Sequence, residues 1–296
     1  MARMMTSHES KILITGANGL LGSSLVPYLE KHKYEVIRQS RKEKGSLIFD
    51  LSNFDQTYVM ISKVQPDIVV HLAALTDVDK CQTCPNEAYL ANVKTVENLV
   101  NSIEKLKLNC HLVYISTDQV YGGYGPHKES DVSLLNYYAF SKYTGELLAS
   151  KVSSTILRTN FVGKSLSADR KSLTDWLIEA SLSNREVTVF EDISFSPLSL
   201  SKLVEILETI LIKRLSGTFN LGCTGGASKA EFAIAFANAL GLKKDRFKIG
   251  TSNSVNLDAI RPKDMRLDST SFEDAFGIVL PTITEIIDSL ALEYGS

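Results

Sequence analysis

The chain has 296 residues, 44% of them hydrophobic and 22% charged, with a formal net charge of −2. That length buries a sizeable core without disulfide or metal staples, and the composition excludes disordered and membrane-embedded classes. A charge so close to balance also excludes the basic field that draws proteins to nucleic acid or anionic lipid, so the expected partner is a small molecule, with no nucleic acid and no membrane.

The opening residues MARMMTSHES are polar and no run of 18 apolar residues follows anywhere, which predicts neither a secretory leader nor a spanning helix and places the protein in the cytoplasm. The first predicted strand, KILIT (Lys11 to Thr15), runs into Gly16, Ala17, Asn18, Gly19, Leu20, Leu21 and Gly22, and then into a helical pattern from Leu20 to His32. Glycines at this spacing permit a tight turn and a close backbone approach to a pyrophosphate. The helix start behind them offers free N–H groups and a positive dipole end. The spacing alone would be weak, but its place after the first strand of a βαβ pattern points to a dinucleotide. Gly16, Asn18, Gly19, Leu20, Leu21 and Gly22 are the predicted contacts.

The second strand starts at Glu35 and ends near Arg38, followed by Gln39, Ser40 and Arg41, with no acid before Glu43. An acid there would bind the adenosine ribose of NAD. Arg38, Ser40 and Arg41 suit a 2′-phosphate instead, which favours NADP, with NAD as the alternative cofactor. The competing reading is a solvated basic loop. Further strands are predicted at Leu47 to Phe49, Asp67 to His71, Leu112 to Ser116 and Thr155 to Arg158, with helices over Glu87 to Lys107 and Tyr138 to Lys151. Cys81 and Cys84 form a single CxxC with no second ligand pair at matching spacing, so ordinary thiols and no metal are expected.

The segment YYAFSKYTGE places Tyr138 and Lys142 four residues apart, about 40° apart around a helix, whereas Tyr137 would point about 140° away. A phenol near pKa 10 is a poor proton exchanger at neutral pH. An adjacent ammonium favours its ionised form, and bringing it close to neutrality asks for roughly 3 to 4 kcal/mol. On its own such a pair is commonly an exposed helix couple. Its weight comes from the strand LVYIS upstream, which delivers Ser116, Thr117 and Asp118 to the carboxyl edge of a parallel sheet, where ligands of such folds bind. Thr117 there can polarise a carbonyl, or serve only as a cap closing the strand.

Beyond Arg158 the alternation loosens into a helix over Lys171 to Leu182, a strand Val187 to Phe190, a helix Leu200 to Leu215, a strand Thr218 to Leu221, a helix Lys229 to Leu240, and irregular chain through Arg261 and Pro262. The expected architecture is α/β, a Rossmann-type doubly wound parallel sheet with a small C-terminal substrate-binding lobe. Residues 1–163 form the dinucleotide-binding part, with 187–221 returning to its sheet, and 164–186 with 222–296 form the lobe.

The glycine turn, HLAALTDVD, STDQVYGG, YYAFSK, LRTNFVG, FNLGCTGGASKAEFA and RPKDMRLDS together resemble the extended short-chain dehydrogenase/reductase family over nearly the whole chain. Within that family the likeness is nearest to reductases of nucleotide-linked sugars. The resemblance implies reduction of the 4-keto group of a nucleotide-linked 6-deoxysugar. Tyr138 would protonate the oxygen, Lys142 would bind the nicotinamide ribose and lower the phenol pKa, and Thr117 would steady the carbonyl. It also implies cofactor contacts at Asp50, Leu51, Ala73, Ala74 and Thr76, sugar contacts at Asp118 and Phe161, and a homodimer. Gln119 and Phe161 depart from the reductase pattern, which has Tyr and Trp there. A dehydratase would need an ionisable residue where Gln119 stands. Two alternatives stay open: a nucleotide-sugar epimerase, and a non-catalytic NADP-binding regulatory subunit resembling that of methionine adenosyltransferase.

Overall fold

The computed structural model describes residues 10–42, 45–167, 170–183 and 185–295. Glu43, the first acid after the second strand, lies outside them. Seven strands form one parallel sheet: β1 (Lys11–Thr15), β2 (Glu35–Ser40), β3 (Leu47–Ile48), β4 (Ile68–His71), β5 (His111–Ile115), β6 (Ser154–Thr159) and β7 (Gly217–Leu221). Their order is β7-β6-β5-β4-β1-β2-β3, so the chain winds outward from β1 to one edge, then returns to the centre and winds outward to the other. The reversal falls between β1 and β4, where open α/β sheets carry a crevice at their carboxyl edge.

Alternation along β1 explains the two layers. Ile12 and Ile14 face one side, where Leu25, Val26 and Leu29 of the helix Gly22–Lys31 and Leu203, Leu207 and Ile210 of the helix Leu200–Lys213 cover them. Leu13 faces the other, against Met60 and Ile61 of the helix Phe54–Val64 and Val96, Leu99 and Ile103 of the helix Thr95–Lys105. Strands buried on both faces read as near-continuous apolar runs, which is why IVVH and HLVYI lack the polar alternation of a surface strand.

The 187–221 segment divides. Gly217–Leu221 pairs in parallel with β6 and extends the main sheet. Val187–Phe190 instead pairs in parallel with Phe247–Gly250 as a separate two-stranded sheet. The irregular chain expected after the helix Lys229–Leu240 therefore holds a strand, whose burial pattern is too exposed to read as one. A three-stranded piece, Ala227–Ser228, Ser194–Phe195 and Asp264–Met265, stands beside it. The long helix expected over Glu87 to Lys107 is interrupted: Pro85–Tyr89, then wider π-helical turns at Leu90–Lys94, then Thr95–Lys105. Among the described residues no helix is long and apolar enough to cross a membrane.

Candidate active site

The glycine turn sits on the crevice between β1 and β4. Gly16 has φ +65°, and a Cβ on it would lie 2.7 Å from the Ala73 backbone nitrogen. A Cβ on Gly22 would lie 2.5 Å from the Ala17 carbonyl oxygen. Both positions therefore exclude any side chain, which draws the exits of β1 and β4 together and lets the helix start directly on the turn. The helix Gly22–Lys31 has no side-chain cap and no acid in its first turn. Its positive end is thus left uncompensated, as an anion-binding helix start requires, and the turn fits a dinucleotide diphosphate. Gly19 donates to Gly16 O (2.9 Å), and the Asn18 carbonyl accepts from the Ser167 hydroxyl (2.8 Å). Leu20 is half-buried and Leu21 buried behind the turn.

At the exit of β2 the predicted trio separates. Arg38 is exposed and its guanidinium is held by both oxygens of Glu30 (2.7 and 2.6 Å), at the far end of the first helix. Ser40 is buried and Arg41 exposed at the strand end. Gln39, not singled out from sequence, is buried: its Nε2 donates to Phe49 O (2.8 Å) and its backbone carbonyl accepts from Ala17 N (3.2 Å), fastening the turn to this strand. Asp50 is exposed and receives the Ser52 amide and hydroxyl, while the buried Leu51 presents its carbonyl to Asn98 (2.9 Å). Ala73 and Ala74 are half-buried and Thr76 exposed beyond β4.

Asn92 ties this loop to the catalytic candidates. It receives the Leu75 amide (2.7 Å), and its Nδ2 donates to Leu75 O (3.0 Å) and Ser141 Oγ (2.9 Å). Ser141 in turn donates to Tyr138 O (2.8 Å). The signal in the sequence was an amide among the apolar residues of a helical stretch, buried here within the π-helical turns. Nearby, His71 is 1% exposed, with Nδ1 against Thr15 Oγ1 (2.7 Å) and Nε2 against Thr95 Oγ1 (3.3 Å). Burial, then the charge of Lys142, lowers its pKa to about 3. Thr95 donates to Ala91 O (2.8 Å), so the consistent arrangement is a neutral ring that accepts from Thr15 and donates to Thr95.

Tyr138 and Lys142 lie on the helix Tyr137–Ala149, capped by Asn136, and are 7% and 4% exposed. Thr117 and Asp118 follow β5, with Thr117 near enough to the Tyr138 hydroxyl to draw its pKa down. Lys142 donates to Ile115 O (2.7 Å) and stands 4.3 Å from the Tyr114 ring centroid. The expected lowering of the phenol pKa is not what this arrangement produces. Burial pushes Tyr138 well above its ordinary value, against a smaller downward pull from Thr117, and burial lowers Lys142 to about 7, offset in part by Glu146. The expectation weighed the cation and left out desolvation, which dominates for a group this buried. The outcome is a phenol that keeps its proton, the form a proton donor needs, beside a threonine hydroxyl able to hydrogen-bond the same oxygen.

Asp118 is 1% exposed; its Oδ1 accepts from Thr117 Oγ1 (3.2 Å) and its Oδ2 from Asn160 Nδ2 (2.7 Å). Burial raises its pKa to about 6, against the pull of Lys229 and these hydrogen bonds. Phe161, half-buried, follows Asn160 in the short strand Phe161–Val162, which pairs with Leu198–Ser199. Gln119 accepts from Asn136 Nδ2 (3.1 Å), and Asn136 also donates to Ile260 O (3.0 Å), so the helix cap joins the site to the C-terminal part. An Asp79–Arg261 ion pair (2.7 Å) closes the same seam. Cys81 is buried, its thiol pushed up to about 11 mainly by burial, and its Sγ contacts Leu75 O.

A family model described as the RmlD substrate binding domain matches residues 10–295. The chain is 29% identical to the dTDP-4-dehydrorhamnose reductase of Aggregatibacter actinomycetemcomitans, covering 91% of this chain and 94% of that one. It is 27% identical to methionine adenosyltransferase 2 subunit beta of Mus musculus, over 95% and 87% of the two chains. A crystal structure of dTDP-4-dehydrorhamnose reductase from Bacillus anthracis in complex with NADP superposes with a TM-score of 0.86 at 25% identity, covering 96% of this chain and 99% of that one.

Proposed function

The chain belongs to the RmlD substrate binding domain family, and from that premise we propose that it reduces the 4-keto group of a nucleotide-linked 6-deoxysugar, in the manner of a dTDP-4-dehydrorhamnose reductase. It is an NAD(P)-dependent oxidoreductase, with NADP the first cofactor and NAD the alternative. When bound, the reduced nicotinamide supplies the hydride that the carbonyl carbon accepts. Gly16, Asn18, Gly19, Leu20, Leu21 and Gly22 hold the diphosphate, Ser40 and Arg41 face the adenosine ribose, and Asp50, Leu51, Ala73, Ala74 and Thr76 line the remaining path. Arg38 contributes there only by leaving Glu30.

Thr117 and Tyr138 both hydrogen-bond the keto oxygen, and the Tyr138 proton passes to that oxygen as negative charge develops on it. Lys142 orients the nicotinamide ribose, and Asp118 and Phe161 bound the sugar. The carrying observation is that Thr117, just past β5, and Tyr138, in the first turn of the helix Tyr137–Ala149, are both buried at the carboxyl edge of the parallel sheet whose β1–β4 crevice carries the glycine turn. Residues 1–163 with β7 hold the cofactor and the remaining segments hold the sugar. In the same reading the enzyme works in the cytoplasm as a homodimer.

The test is NADPH oxidation with a panel of dTDP-, UDP- and GDP-linked 4-keto-6-deoxysugars. Turnover of at least one, lost in Tyr138→Phe, is expected. A second reading, a regulatory subunit, draws on the likeness to methionine adenosyltransferase 2 subunit beta. It would be favoured by no turnover across the panel together with co-purification of a larger catalytic partner.

A further inference from the structure

Lys229 occupies a position that local stability disfavours. It is the first residue of the helix Lys229–Leu240, where a positive charge opposes the helix dipole, and its neighbours Ser228 and Glu231 already complete a capping box. Its backbone amide donates to Ile193 O (2.8 Å), and the register of Ala227 opposite Phe195 fixes the turn from which the side chain leaves. The ammonium then folds over the buried ring of Phe195, 3.3 Å from its centroid.

The chain that carries Phe195 runs within three residues to Leu198, whose amide donates to Asn160 O (2.9 Å), and Asn160 donates to Asp118 Oδ2 (2.7 Å). The ammonium over Phe195 and the Asp118 carboxylate therefore lie on the same side of the site without forming an ion pair. Each favours the charged form of the other against burial. Among the described residues the ammonium has no hydrogen-bond acceptor. The side chain is half-buried, and the ammonium is not among the polar atoms sealed from solvent, as Thr159 Oγ1 is. Three donors therefore remain, held by an aromatic face on the same side of the site as the buried Asp118 carboxylate.

We propose that Lys229 is a sugar-recognition residue that, together with Asp118, forms a donor and acceptor pair reading neighbouring hydroxyl groups of the substrate hexose. A hydroxyl both donates and accepts, so two hydroxyls on adjacent carbons can donate to the Asp118 carboxylate and accept from the Lys229 ammonium. An isolated diphosphate would be repelled by the first of these groups. The inference rests on the nucleotide-sugar reading above and adds the residue that distinguishes a hydroxylated sugar from the nucleotide alone.

Calorimetric titration of the NADP-saturated protein with dTDP and with dTDP-glucose tests it. The wild type is expected to bind dTDP-glucose more tightly than dTDP. Lys229→Met should remove roughly tenfold or more of that preference, the scale of hydrogen bonds to a charged group, with the affinities for dTDP and for NADP unchanged. Lys229→Gln, which keeps a donor and adds no charge, should retain part of it and serves if the methionine variant does not fold. An unchanged preference in both variants, or an equal loss for dTDP and dTDP-glucose, overturns the inference while leaving the reductase reading intact if the wild type still reduces a 4-keto sugar. A wild type that binds neither these ligands nor their UDP and GDP counterparts overturns both.

Discussion

At the residue scale, burial and charge compete within one turn of the helix Tyr137–Ala149, and burial prevails on both side chains. Tyr138 keeps its proton and Lys142 has its pKa lowered to about 7. Tyr138→Phe removes only the donated proton, so kcat should fall by roughly 10² to 10⁴, the usual scale of general acid catalysis, with NADPH affinity nearly unchanged. Steady-state kinetics beside cofactor titration checks this, and full activity would remove Tyr138 from the mechanism. His71 carries a pH dependence. Its folded pKa, about 3, lies below its ordinary value of 6.5. As pH falls through 6.5 the unfolded chain takes up a proton that the folded chain refuses, so stability is present above that pH and is lost toward pH 3. Between pH 6.5 and 4.5 this contributes a loss of roughly 2 to 3 kcal/mol. Denaturant unfolding at the two pH values should show that loss reduced in His71→Gln, whatever the absolute stability of the variant.

At the element scale, the helix Tyr137–Ala149 reaches its position because Gly145 lets it press on β5. A Cβ there would overlap the Tyr114 hydroxyl and lie 2.8 Å from its Cζ, and that hydroxyl already donates to Lys142 O (3.1 Å). Gly145→Ala should therefore destabilise by about 1 to 3 kcal/mol, the usual cost of overpacking a core. Adding Tyr114→Phe should recover part of this, and a double-mutant cycle measured by urea unfolding would expose the coupling. Gly145 looks in the sequence like any helix glycine. The main strands and the helix Tyr137–Ala149 were legible because their apolar periodicity is set by the two faces of the sheet. The helices Thr270–Phe276 and Ile283–Gly295 were not, since the first has only seven residues and the second follows a segment with no strand to announce it.

At the scale of the whole molecule, a buried ion pair ties the last strands of the main sheet to the helix Tyr137–Ala149. Arg158 on β6 binds Glu146 on the helix (2.7 Å) with side chains 4% and 3% exposed. It also donates to Tyr121 OH (2.8 Å), which donates to Asn220 Oδ1 on β7 (2.6 Å), and to Glu129 O (2.7 Å). Glu146 further accepts from Ser116, next to Thr117. Arg158→Met leaves a buried carboxylate without its cation and should cost roughly 3 to 5 kcal/mol. A thermal melt should fall accordingly, and a variant melting with the wild type would show the network to be dispensable.

The sequence by itself determined the glycine turn, the parallel α/β order, and the placing of Tyr138 and Lys142 on one face of a helix, because each depends on residues near in the chain or on the period of one element. Only the tertiary structure decided which of these groups are charged and which are reachable. It committed Arg38 to Glu30, buried Tyr138 until its proton was held more tightly, and brought Asn92 and Asn160 to the candidate site from separate elements. Burial and long-range pairing depend on how the layers close on one another, and no local pattern encodes them.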